Sequence, residues 1–172
     1  MQNLNKKLKI EMRPPRMSDL NSCLEMINSL VEERAMITVQ KKLTLKEERE
    51  YLKKIIKDKN SIHVFLLVDG KVMGNARIAR LENVRSHIGE LGISIKKDIR
   101  GMGFGEKILK EILKQGIKKF KLKIITLDVN KSNKIAQSLY KKAGFKIIGT
   151  IKGGVLHYGK YEDSATMVKY VD

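Results

Sequence analysis

The chain of 172 residues carries 36 Lys+Arg against 19 Asp+Glu, a formal charge of +17, and 42% of its residues are hydrophobic. This length suits one domain spanning 1–172 with a substantial core, and the apolar content excludes a disordered chain. A single cysteine, Cys23, excludes an intramolecular disulfide framework and a paired-cysteine zinc site, and His63, His87 and His157 lack metal-ligand spacing.

No apolar run approaches the ~18 residues of a membrane span, and the N-terminal MQNLNKKLKIEMRPPR lacks the apolar core of a secretory signal. A cytoplasmic protein is the expectation. Leu8, Ile10 and Met12 alternate up to Pro14-Pro15, so a first strand ends in a turn. Ser18-Asp19 reads as a helix start, and Leu20, Leu24, Ile27 and Val31 recur at helical spacing over 18–33. Thr44 and Glu47 form a capping box that opens a second helix, lined by Leu45, Leu52, Ile55 and Ile56, to about residue 58. The runs Ile62–Val68 and Val72–Leu81 flank Asp69-Gly70, a hairpin signal. His87–Ile95 is a further strand, with Leu91, Ile93 and Ile95 on one face and Glu90, Gly92 and Ser94 on the other. The cluster Arg100-Gly101-Met102-Gly103-Phe104-Gly105 leads into a helix with Ile108, Leu109, Ile112, Leu113 and Ile117 on one face. Lys123–Val129 is a strand, and 133–143 a helix with Ala136, Leu139 and Tyr140 inward and Gly144 at its end. The runs 145–157 and 160–171 form a closing antiparallel pair. The order β-α-α-β-β-β-α-β-α-β-β is that of an α+β fold.

Glycines admit positive φ and let backbone N–H groups approach a ligand closely. A glycine-rich loop that opens a helix also aims unpaired N–H groups and the positive dipole end at one spot, which suits a phosphate. A tight turn needing glycine for packing alone is the plainer alternative. Gly105 is followed by Glu106-Lys107, so the magnesium-binding hydroxyl of a Walker loop is missing, and Gly101, Gly103 and Gly105 are spaced one residue too short for a dinucleotide fingerprint.

Arg100-x-x-Gly103-x-Gly105 is similar to the acyl-CoA loop of the GNAT N-acetyltransferases, whose pattern is Gln/Arg-x-x-Gly-x-Gly/Ala. Glu90-Leu-Gly-Ile-Ser-Ile95 resembles that family's fourth strand, and the segment from Asn130 to Phe145 its second signature, N-x-x-A-x-x-L-Y-x-x-x-G-F. The resemblance implies a mixed, mostly antiparallel sheet of about seven strands with about four helices, splayed between the fourth and fifth strands. It also implies acetyl-CoA as co-substrate, with no metal, and a primary amine as acceptor: a protein N-terminus, a lysine, a polyamine or a small metabolite. The tail Tyr158–Asp163 with Met167 is similar to the last hairpin of members that acetylate polyamines or protein N-termini.

By the same resemblance, the backbone of Arg100, Gly101, Met102, Gly103, Phe104 and Gly105 would hold the pyrophosphate. The strand Ile93-Ser94-Ile95 would pair with the pantetheine arm, and Asn133 would both cap its helix and hydrogen-bond the cofactor. Tyr140 is placed near the thioester sulfur, where a phenol, protonated at neutral pH, is a proton donor for a departing thiolate. Glu90 is the candidate base, because an alkyl ammonium must lose its proton before attack and a carboxylate partly shielded by a sheet has its pKa raised. The N–H of Ile93 would face the carbonyl oxygen. Met36–Thr44 would wall the acceptor site, and Glu32 and Glu33 read chiefly as a solvated helix end. No nucleophilic triad is assembled, which favours direct transfer in a ternary complex.

Two other classes stand beside this one. The +17 charge raises a nucleic-acid-binding protein, but the lysines are dispersed and aromatics amount to 5%, which argues against base stacking. A non-catalytic acyl-CoA sensor on the same fold is the other. A sheet-edge homodimer is compatible with the fold.

Overall fold

The computed structural model describes residues 8–171. The reading of the extreme N-terminus as free of a signal core falls partly on residues 1–7, outside the described residues. The alternating and helical periodicities resolve into β1 (Ile10–Arg13), α1 (Leu20–Glu32), α2 (Leu45–Lys57), β2 (Ser61–Val68), β3 (Lys71–Arg80), β4 (Ile88–Ile95), α3 (Phe104–Phe120), β5 (Ile124–Asn130), α4 (Lys134–Lys142), β6 (Lys146–His157) and β7 (Lys160–Tyr170). The seven strands form one sheet in the order β1-β2-β3-β4-β5-β7-β6. All pairings are antiparallel except β4 with β5.

Both faces of β2 are covered, which explains its unbroken apolar run. Val64 and Leu66 join α3 in one cluster with Ile78, Leu91, Ile108, Ile112, Ile125, Tyr140 and Met167. Phe65 and Leu67 join α1 and α2 in a second cluster with Leu30 and Leu52. Two helices thus cover one face and two the other. Gly116 lets α3 lie against the sheet: a Cβ there would stand 2.7 Å from Ile78 Cδ1.

Several local expectations change. Leu8 lies before β1, and a 3-10 turn over Met17–Asp19 precedes α1. Asp19 does not cap α1 with its side chain. Its carboxylate instead accepts hydrogen bonds from Arg13 at 2.7 and 2.8 Å and from the Arg16 N–H at 2.8 Å, fastening the β1–α1 turn. The Thr44–Glu47 capping box forms as expected. Leu45 and Ile56 are exposed, because the buried positions of α2 are Glu48, Leu52 and Ile55.

Candidate active site

The parallel contact between β4 and β5 extends over only three residue pairs, Ile88–Ile124 to Glu90–Thr126. Beyond it β4 runs on to Ile95 paired with β3 alone, and β5 runs on to Asn130 paired with β7. The sheet therefore splays between its fourth and fifth strands.

Hydrogen bonds at each end of β4 fix which main-chain groups open into the splay. The Ile88 carbonyl accepts from Leu81 N–H at 2.9 Å, and Lys96 N–H donates to the Met73 carbonyl at 2.8 Å, so the even-numbered residues face β3. Successive residues alternate in direction. Leu91, Ile93 and Ile95 thus present their N–H and C=O groups to the gap. Ser94, directed to β3 opposite Asn75, has no open main-chain group there.

At the wide end of the gap, α3 begins at Phe104 with Gly103 as its N-cap residue and no side-chain cap. The first-turn N–H groups of a helix have no intrahelical acceptor, and the dipole makes that end positive. Gly101 and Gly103 stand at φ +76° and +79°, a left-handed backbone that side chains disfavour. Phe104 is buried and anchors the helix start, whereas Met102 is exposed. Gly105 lies where α3, β4 and α4 converge, its Cβ position 3.5 Å from Ile95 Cδ1 and 3.4 Å from Leu139 Cδ2. The start of α3 thus stands against Ile95 of β4 and Leu139 of α4, at the wide end of the cleft between β4 and β5.

Arg100 is exposed at the start of the loop. Its Nε donates to the Ile95 carbonyl at 2.9 Å, and its terminal nitrogens pair with the Glu33 carboxylate. Glu33 is therefore engaged rather than a solvated helix end, and Glu32 pairs with Lys42 at 2.6 Å.

Tyr140 stands on the buried side of α4. Its ring is buried in the α3-side cluster and meets Phe145 edge-on at 5.9 Å. Burial alone pushes its phenol up to about 12, and no hydrogen bond contributes. Asn133 Oδ1 caps α4 by accepting from Ala136 N–H at 3.1 Å, which leaves its amide NH2 free of the cap. Gln137, which sequence reasoning passed over, fastens the preceding turn through Nε2 bonds to the carbonyls of Asn130 and Lys131 at 3.1 and 2.9 Å.

Glu90 lies on the opposite face of the sheet from Leu91 and Tyr140. It is exposed, which corrects the expectation of a carboxylate shielded by the sheet. The helices on that face, α1 and α2, pack chiefly over β2 and β3. The strand register puts Asp128, Asn130 and Glu162 on Glu90's face. Asp128 accepts from Thr166 Oγ1 at 2.6 Å. Glu162 accepts from Asn130 Nδ2 at 3.1 Å and Ser132 Oγ at 2.9 Å, bonds that hold its carboxyl below the usual carboxylate range.

This face is roofed. Gln40, from the α1–α2 loop, donates to the Leu156 carbonyl at 2.8 Å and accepts from Tyr158 N–H at 2.9 Å. His157 Nε2 lies 3.2 Å from the Ala35 carbonyl, and the Tyr158 hydroxyl donates to the Val31 carbonyl at 3.1 Å. The α1–α2 loop and the β6–β7 hairpin are thereby joined. A sequence gives little sign of such contacts, since Gln40 and Tyr158 are 118 residues apart.

Residues 25–145 match the family model described as the acetyltransferase (GNAT) family. The chain belongs to that family. A curated relative, the L-amino acid N-acetyltransferase AaaT of Escherichia coli (strain K12), is 30% identical over 103 residues, which are 59% of this chain. The match spans 64% of that relative's length, short of two thirds. A GNAT-family acetyltransferase from Streptococcus pneumoniae superposes with a TM-score of 0.84 and 27% identity, covering 95% of this chain and 100% of that one. The fold is also that of yncA, a putative acetyltransferase from Salmonella typhimurium solved with its cofactor acetyl-CoA: TM-score 0.83, 16% identity, 95% of each chain.

Proposed function

We propose that this GNAT-family chain transfers an acetyl group from acetyl-CoA to a primary amine by direct attack in a ternary complex. The observation that carries the reading is the cleft itself. A strand edge with open main-chain groups at Ile93 and Ile95 leads to an uncapped, glycine-shaped helix start. Such a cleft suits a ligand with an amide-bearing arm and a phosphate end.

Acetyl-CoA supplies an acyl group activated as a thioester. The N–H groups of residues 101–105 would hold its pyrophosphate, with Arg100 beside them, and Ile93 and Ile95 its pantetheine arm. Asn133 would add its free amide NH2. Tyr140 would donate a hydrogen bond to the departing sulfur. Full proton transfer from a phenol at about 12 to a thiolate of pKa about 8.5 is uphill, so Tyr140 stabilises the thiolate by donation. Glu90, directly or through a water, would take the ammonium proton. The Ile93 N–H would stabilise charge developing on the carbonyl oxygen.

The acceptor we favour is a small cationic amine. The carboxylates of Glu90, Asp128 and Glu162 gather on one face of a chain whose net charge is +17. The Gln40–Tyr158 bridge over that face leaves a small molecule better served than a lysine within a folded protein. Free CoA thiol is measured with acetyl-CoA and a panel of amino acids, polyamines, N-terminal peptides and lysine peptides. Release dependent on a small amine supports the reading, and no release with any acceptor refutes it.

A further inference from the structure

Arg100 is engaged in a way that competes with the role given to its loop. Its Nε donates to the Ile95 carbonyl at 2.9 Å, the last main-chain group of β4 that opens into the splay. The rest of its guanidinium is spent on the carboxylate of Glu33, the C-cap residue of α1. The side chain therefore crosses the mouth of the cleft and joins two elements that no main-chain pairing connects there.

Glu33 is the more shielded partner, its side chain 20% exposed against 44% for Arg100. It lines a cavity of about 310 Å³ with Glu32, Lys96 and Asp98. The neighbouring carboxylates have other partners, Glu32 pairing with Lys42 at 2.6 Å and Asp98 and Glu25 with Lys96 at 3.5 and 3.6 Å, and Lys97 also lines the cavity. Among the described residues, the cation that meets Glu33 is Arg100.

We infer that Glu33 is a positioning residue that latches Arg100 over the mouth of the cleft, so that a phosphate-bearing cofactor binds by drawing Arg100 away from it. The inference rests on the acetyl-CoA reading above. A guanidinium fork suits a carboxylate and a phosphate equally, and one fork serves one of them well at a time. A ligand that needs the unlatched form binds with an affinity reduced by the fraction of molecules in that form. Breaking the latch at Glu33 raises affinity. Removing Arg100 removes the latch and the phosphate partner together.

The test is calorimetric titration with CoA. Glu33→Gln tightens CoA binding by about threefold to fivefold, the scale of a partly exposed ion pair. Loss of any nearby negative charge also favours a polyanion, so two further measurements separate the latch from the general field. Asp98→Asn removes a carboxylate from the same cavity that does not touch Arg100, and it shifts affinity by less than about 1.5-fold in screening salt. In an Arg100→Gln background Glu33→Gln has no effect, since the two act as a unit. Unchanged or weaker CoA binding in Glu33→Gln overturns the inference. So does an equal gain in Asp98→Asn, or a gain that persists without Arg100. Failure of the unsubstituted protein to bind CoA is a different result, and it refutes the acetyl-CoA reading itself.

Discussion

Replacing Tyr140 with Phe separates chemistry from architecture, because the phenol makes no hydrogen bond that the fold would lose. The ring stays packed on Phe145, and only the hydroxyl is removed. Stability should therefore change by less than about 1 kcal/mol. The cost falls on turnover. A hydrogen bond to a charged acceptor contributes about 1.5–3 kcal/mol, and each 1.36 kcal/mol is tenfold in rate, so kcat should fall by about 10- to 100-fold with CoA affinity kept. This is the lower end of general acid effects, as expected for a phenol held at about 12 that donates without fully transferring its proton. Free CoA thiol gives kcat, and thermal unfolding and calorimetry give the other two quantities. A kcat within about twofold of the unsubstituted protein would refute the role. So would an alkaline loss of kcat near pH 10 caused by phenol ionisation, because burial places that ionisation about two units higher.

Burial lowers the His63 imidazole to about 4 from an ordinary 6.5. Its neutral form stabilises the fold fully above pH 6.5, and that contribution is lost as pH falls towards 4: about 3 kcal/mol in all, which His63→Phe should not lose. Denaturant unfolding at pH 7 and pH 4 checks this, and equal losses in both proteins would contradict it. Gly103→Ala should cost about 1–2 kcal/mol, because φ is +79° there, and should weaken CoA binding. Gly105→Ala, inside α3 with contacts no closer than 3.4 Å, should be neutral or stabilising by up to about 1 kcal/mol. Matching unfolding midpoints for the two variants would defeat the distinction. Gln40→Ala removes two of the roof's four polar contacts, so activity on lysine peptides should rise relative to small amines, and an unchanged kcat/KM ratio would count against the acceptor reading.

The elements were legible because their periods are clean: alternation in β4, helical spacing in α3, a capping box at Thr44. The loop geometry was legible for a related reason. The glycines of the loop answer a backbone demand that the sequence states locally, and the resemblance supplied the splay. Long-range pairing was not legible. Asp19 has the look of a helix cap, yet Arg13 and the Arg16 N–H claim it in the turn between β1 and α1. Arg100 and Glu33, 67 residues apart, pair only because the end of α1 meets the end of β4. Glu90 is exposed because the helices on its face pack chiefly on β2 and β3, which no periodicity records.

The central claim is that the open edge of β4 and the glycine loop grip acetyl-CoA. Amide hydrogen exchange with and without acetyl-CoA tests it most directly. Exchange should slow at the N–H groups of Ile93, Ile95 and residues 101–105, while β1 and β2 are unchanged. Binding without protection at these groups, or protection only along the lysine-rich surface elsewhere, would contradict the account.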